Sequence, residues 1–307
     1  MDRQDRPVTD TDPTAGPPSS PPVTTGGDAA APEPKKSRAG RDLPAAIAVG
    51  GSLGVGVILV LVFIPKVWIG VVAVSLAVAM WEVIKRLRAG GYDVGVVPLL
   101  VGGQAIMWTS WPYGTDGALV SFVATVLVAM IWKLLSGGIT DPPVNYLRDL
   151  AVTVLVLAWL PLLASFAIMM VLQSHGWARV LTLMIVVVCS DVGGYAAGVL
   201  FGRHPMVPAI SPKKSWEGMA GSLVFGTVGA VLVITYLVDA HWWIGLVLGP
   251  VLVVCATLGD LVESQVKRDL GIKDMGTLLP GHGGIMDRLD SILPSAFVVW
   301  AILGALL

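Results

Sequence analysis

Apolar runs of about 20 residues, enough to carry a helix across a bilayer, recur along nearly the whole chain with only short polar breaks between them. They fall at 45–64, 67–84, 94–111, 117–135, 149–172, 178–201, 219–238, 242–258 and 291–307. The pattern predicts nine spans. Pro98, Gly102, Gly103 and Gln104 interrupt the third, which leaves room for a broken or re-entrant segment there. Gln104 is placed to hydrogen-bond across helices, and Glu82, near a span end, to snorkel toward the cytosol. Residues 1–43 lack the pattern. They are rich in Pro, Ser, Thr, Asp and Gly, cannot bury enough apolar surface to order themselves, and do not resemble a secretory signal. The expected fold is therefore all-α: a polytopic membrane helix bundle over 44–307, preceded by a disordered cytosolic tail. Lys35, Lys36, Arg38 and Arg41 of that tail either meet anionic headgroups or are simply solvated.

Composition sharpens this picture. A mean hydropathy of +0.78, with 55% hydrophobic and 13% charged residues, excludes an ordinary soluble domain. Cys189 and Cys255 lie inside apolar runs, act as small hydrophobes, and say nothing of the redox compartment. The net charge of −1 is equally silent about partners, and no nucleic acid is expected.

Charge placement predicts orientation. With the N-terminus inside, all of the 20 Lys and Arg residues except Lys66 and Arg179 belong to the tail or to the segments 85–93, 134–148, 202–218 and 259–290, counting span edges with their nearest loop. Positive residues favour the cytosolic side, so the expectation is N-in and, with nine spans, C-out. Trp108, Trp111, Tyr113, Trp177, Trp242 and Trp243 then form an outer aromatic belt.

Both charged loops land on the cytosolic face. The segment Ser211-Pro212-Lys213-Lys214-Ser215-Trp216-Glu217-Gly218 suits a polyphosphate or a lipid headgroup, or else is an ordinary anchor in which Ser215 caps the next helix. If the eighth span continues as helix, Asp260, Glu263, Ser264 and Lys267 share one face. Asp287 and Asp290 sit three apart at the opening of the ninth span. Asp260 and Asp287 would thus present hard oxygens near headgroup depth, a donor type that suits Mg²⁺ completed by phosphate oxygens and water. Glu263, Asp290 and Asp191 are further carboxylates for an ion, with a second cation left open. Glycines around Pro280-Gly281-His282-Gly283-Gly284 permit positive φ and let backbone approach a ligand. Asp191, deep in the sixth span, either lines the headgroup cavity or hydrogen-bonds a neighbouring helix, and Gly194, Gly198 and Gly202 beside it make a smooth packing face. Asp274 is assigned only to local pairing with Lys273 or Lys267. The sequence contains no P-loop and no Ser-His nucleophile pattern.

Ser264 to Asp290 resembles the signature of the phosphatidate cytidylyltransferase (CDP-diacylglycerol synthase) family, S-x-Φ-K-R-x4-K-D-x-small-x2-Φ-P-x-H-G-G-Φ-x-D-R-Φ-D with Φ apolar. Ser264, Lys267, Arg268, Lys273, Asp274, Gly276, Pro280, His282, Gly283, Gly284, Asp287, Arg288 and Asp290 all fall in place. The Ser211–Gly218 segment and the Gly259-Asp260 pair also look like that family's. The resemblance covers the C-terminal third, and not the tail or the first four spans. It implies that CTP and phosphatidic acid give CDP-diacylglycerol and pyrophosphate with Mg²⁺, at the cytosolic face of the cell membrane. By resemblance, Asp260 and Asp287 are the principal metal ligands. Lys267 and Arg268 are implied to be catalytic, and Ser211, Lys213, Lys214, Lys273, His282 and Arg288 to bind substrate. His282 either donates to a phosphate or fixes the Gly-Gly turn. A homodimer is left open. Two other readings compete: a CTP-using polyprenol or dolichol kinase, which the same cations would serve, and an anion transporter with Asp191 in the pathway. Against the transporter, the charges cluster at one face, not at the midplane, and no inverted repeat of broken spans is visible.

Overall fold

The computed structural model describes residues 43–138, 141–278 and 283–307. The chain runs α1 (Leu43–Phe63), α2 (Pro65–Ala89), α3 (Val96–Leu135), α4 (Tyr146–Leu157), a π-helical turn (Ala158–Leu162), α5 (Leu163–Val171) and α6 (Gly176–Phe201). After these come β1 (Pro205–Val207), β2 (Ser211–Ser215), α7 (Trp216–Tyr236), α8 (Trp242–Asp269), α9 (Met286–Leu289) and α10 (Ile292–Leu306). Seven helical segments are long and apolar enough to cross a membrane, with α4 to α5 and α9 to α10 each counted as one. Side chains such as Val120, Val199, Leu200 and Phe225 are exposed on the outside of the bundle, where water would penalise them and lipid would not. This is a multi-pass membrane protein.

The 40-residue α3 is not one rod. Gly114 leaves helical geometry at φ 56° and ψ −137°, beside Pro112. The Thr109 hydroxyl lies 2.9 Å from both the Gly117 carbonyl and Ser121 Oγ, so the two halves fold back on each other. The break expected around Pro98 to Gln104 is absent. Pro98 sits in the first turn, where its missing N–H costs nothing, and Gly102 and Gly103 pack against Thr125 and Met80. Gln104 bonds across helices as expected, its Nε2 donating to the Ala73 carbonyl at 3.0 Å. Between α4 and α5, buried Pro161 sits within the π-helical turn, which is where a helix absorbs a residue that cannot donate.

The core joins Met80, Leu99, Leu160, Met170, Val186, Leu252 and Val299 from seven segments. Helices α6 and α7 approach closely along small residues. A side chain at Gly194 would strike Ser222, and one at Gly221 would strike Ala197. Ser222 seals the contact by donating to the Ser190 carbonyl at 2.8 Å. Two departures from the predicted pattern shape the end of the bundle that carries the charged loops. The 202–218 loop contains an antiparallel β1–β2 hairpin, too short to leave a periodic signal. Helix α8 runs on to Asp269, well beyond the apolar run that ends at 258, because its polar last turns pack against the signature loop.

Candidate functional site

The extension of α8 brings the charged segments together. Asp260, Glu263, Ser264 and Lys267 lie on one helix, as the three-four spacing required. Lys267 reaches across to α9, whose single turn carries Asp287 and Arg288, while Asp290 follows before α10 begins. The β2 strand presents Lys213 and Lys214 from the other side and ends at Ser215, whose Oγ caps α7 by accepting from Gly218 N at 3.1 Å. Ser215 is thus the helix cap, and Lys213 and Lys214 line a cavity.

That cavity has a volume of about 480 Å³. Its charged lining is Asp191, Lys213, Lys214, Asp260, Lys267, Asp274, Asp287, Arg288 and Asp290. Asp191 is thus a lining group. Asp274 is one too, which the sequence reading had confined to local pairing. Lys214 Nζ reaches Asp260 Oδ2 at 2.5 Å, and Ser264 Oγ donates to Asp260 Oδ1 at 3.3 Å. Lys267 Nζ lies 3.0 Å from both Glu263 Oε2 and Asp287 Oδ1. Asp287 also accepts from Met275 N at 3.1 Å and Gly284 N at 2.8 Å, so two loop strands and one lysine hold it in place.

The remaining predicted residues are placed differently. Glu263 is fully buried and not part of the lining, and Oε1 has no hydrogen-bond partner. Arg268 and Lys273 are exposed outside the lining; Arg268 Nε donates to the Ile210 carbonyl at 3.3 Å, tying the β-hairpin to α8. Ser211 is half-buried in β2, away from the lining. His282 lies outside the described residues.

Among the described residues, no three His, Cys, Asp or Glu side chains converge tightly enough to cage an ion unaided. Mg²⁺ does not require such a cage, since one or two carboxylates plus substrate phosphates and water complete its shell. Asp260 and Asp287, from different helices on one cavity wall beside Lys214, Lys267 and Arg288, fit that requirement.

The sequence reading missed two features. Glu82, expected to snorkel, is only 4% exposed and accepts from Met286 N at 3.0 Å. Its position inside the apolar run of α2 was the available signal, because acids at such depth rarely lack a role. The second is an ion-pair cluster at the ends of α3 and α4, in which Lys133 meets Asp93 at 2.6 Å and Asp149 at 2.8 Å.

Residues 45–306 match the sequence model of the cytidylyltransferase family. The chain is 56% identical over 280 residues to a phosphatidate cytidylyltransferase of Mycobacterium bovis, covering 89% of this chain and 92% of that protein. It is 57% identical over 277 residues to the Mycobacterium leprae protein of the same name, covering 87% and 89% of the two chains. A Staphylococcus saprophyticus phosphatidate cytidylyltransferase is 33% identical over 199 residues, which is 64% of this chain and 75% of that one. With the family match spanning residues 45–306, and Lys267, Asp274, Asp287, Arg288 and Asp290 of the signature lining one charged cavity, the chain belongs to the cytidylyltransferase family.

Proposed function

We propose that this protein transfers the cytidylyl group of CTP to the phosphate of phosphatidic acid, releasing pyrophosphate and leaving CDP-diacylglycerol in the membrane. The observation that carries the reading is the cavity itself, which combines Lys213, Lys214, Lys267 and Arg288 with Asp260 and Asp287 at one end of the helix bundle. Two anionic substrates must meet there, and the barrier is chiefly their repulsion and alignment. Lys213 and Lys214 on the β-hairpin and Arg288 on α9 reach phosphate from opposite sides, while Lys267 stabilises charge beside Asp287. Asp260 and Asp287 hold Mg²⁺ in this reading, with Asp191 and Asp290 close by in the same lining; Glu263 instead balances Lys267. When bound, Mg²⁺ supplies charge neutralisation across the phosphate oxygens. No protein nucleophile is needed, because the oxygen of the lipid phosphate itself attacks the α-phosphorus.

The same reading sets the topology. Counting the two halves of α3 separately and adding α1 gives nine crossings. The positive residues then put the N-terminus and the cavity on the cytosolic side, where CTP is. Phosphatidic acid keeps its acyl chains in lipid while its headgroup enters the cavity.

The test is pyrophosphate release from CTP by detergent-solubilised protein, with phosphatidic acid, with a polyprenol, and with neither. Release with phosphatidic acid alone is expected. Asp260→Asn and Asp287→Asn should each lower the rate by about 10²-fold or more and change its Mg²⁺ dependence. Turnover with the lipid alcohol, or parent-like rates in both variants, would overturn the reading.

A further inference from the structure

The signature loop is clamped from outside the signature, by one face of α2. Glu82 and Arg86 lie one turn apart on that helix. Glu82 Oε2 accepts from Met286 N at 3.0 Å, and Arg86 Nε donates to the Met275 carbonyl at 2.8 Å. Met275 and Met286 flank the two strands of the loop that grip Asp287, since Met275 N and Gly284 N both donate to its carboxylate. Met275 is therefore held from both ends of its peptide, by Arg86 through its oxygen and by Asp287 through its nitrogen.

The glycines of the signature support the same reading. A Cβ on Gly276 would overlap Glu82 Oε1, and one on Gly284 would sit 2.5 Å from Glu82 Oε2. Neither glycine has a positive φ, whereas Gly283 does, at 80°. Gly276 and Gly284 are thus required by the close approach of a carboxylate of the protein itself, where for Gly284 the sequence had suggested a ligand. A carboxylate with 4% exposure costs several kcal/mol unless hydrogen bonds and nearby charge offset it. Its retention among apolar neighbours is explained if its hydrogen bonds organise the loop.

We propose that Glu82, assisted by Arg86, is a positioning residue that sets the orientation of Asp287 for ion binding. This inference rests on Asp287 being an ion ligand. Residues that orient a metal ligand through one intermediate typically change metal affinity by about 10–100-fold when removed. Mn²⁺ serves as the spectroscopic probe. Binding of Mn²⁺ to the solubilised full-length protein, in the presence of CTP, is measured by electron paramagnetic resonance alongside melting temperature and steady-state kinetics. Glu82→Gln should weaken Mn²⁺ binding by about tenfold and raise the Mg²⁺ concentration for half-maximal rate to match, with the KM for phosphatidic acid little changed. Arg86→Gln should act in the same direction more weakly. In an Asp287→Asn background, Glu82→Gln should weaken binding no further, because the ligand it orients is gone.

A lower melting temperature in Glu82→Gln with parent-like Mn²⁺ affinity would overturn the proposal and leave Glu82 a purely structural residue. If Glu82→Gln does not fold, Arg86→Gln carries the same test, and parent-like Mn²⁺ affinity in it would overturn the clamp. If Asp287→Asn itself binds Mn²⁺ like the parent, the ion-ligand reading fails and the clamp falls with it. If Asp287→Asn loses Mn²⁺ while Glu82→Gln keeps it, only the clamp fails.

Discussion

Lys267→Met tests the electrostatic logic of the cavity most directly. The lysine nitrogen sits 3.0 Å from carboxylates on two helices, and those side chains are 0% and 4% exposed for Glu263 and Asp287. Removing one partner of a buried pair typically costs about 3–5 kcal/mol, because the remaining charge loses its compensation. The loss should not divide evenly. Asp287 keeps the N–H groups of Met275 and Gly284, whereas Glu263 Oε2 would lose its lysine with no backbone N–H to replace it. Glu263 should therefore bear most of the penalty. For a chain of this size, each kcal/mol lowers the melting temperature by about 2–4 °C, so Lys267→Met should melt roughly 10 °C early. Glu263→Gln added to it should recover at least about half of that loss, since it removes the uncompensated charge while keeping the shape. Activity should stay low in both variants, because the proposed charge stabilisation by Lys267 is absent from both. The assay is thermal unfolding of purified protein in detergent, read by tryptophan fluorescence, with cytidylyl transfer measured in parallel. A Lys267→Met variant melting within about 2 °C of the parent, or a double variant no more stable than the single, would refute the reasoning.

Gly276→Ala should cost about 1–3 kcal/mol in the parent, where its methyl meets Glu82, and less in a Glu82→Ala background, where the Gly284 Cα at 2.9 Å is the close contact that remains; paired melting curves check this. Deleting residues 1–40 should leave the specific activity of solubilised protein within about threefold of the parent, since the signature lies far from them in sequence. Gln265→Cys, exposed on the last turns of α8, should react with a membrane-impermeant maleimide only after permeabilisation, with Cys189 and Cys255 replaced by Ser. Labelling in intact cells would reverse the proposed orientation.

Much of this protein is legible along the chain because the bilayer restricts what a sequence can do. Spanning segments must satisfy their own backbone, so hydropathy alone located the apolar helices, though not the polar end of α8, which continues past 258 to Asp269. The i, i+3, i+4, i+7 spacing of Asp260, Glu263, Ser264 and Lys267 needed only a continuous helix to share a face, and α8 provides it. The signature was likewise visible, since its residues are adjacent in order. What the chain could not show is which groups meet across long sequence separations. Glu82 and Met286 are 204 residues apart, and no local period connects them. Glu263 and Asp260 are near neighbours of one chemical type, yet one is buried against Lys267 and the other opens onto the cavity, because packing of α8 against α9 and α10 selects the face. Gly284 looked free to receive a ligand until a carboxylate from another helix occupied that space. Local pattern determined the helices and their charges; the tertiary fold decided which charges are paired, which are buried and which line the cavity, because desolvation and pairing depend on neighbours that only packing brings together.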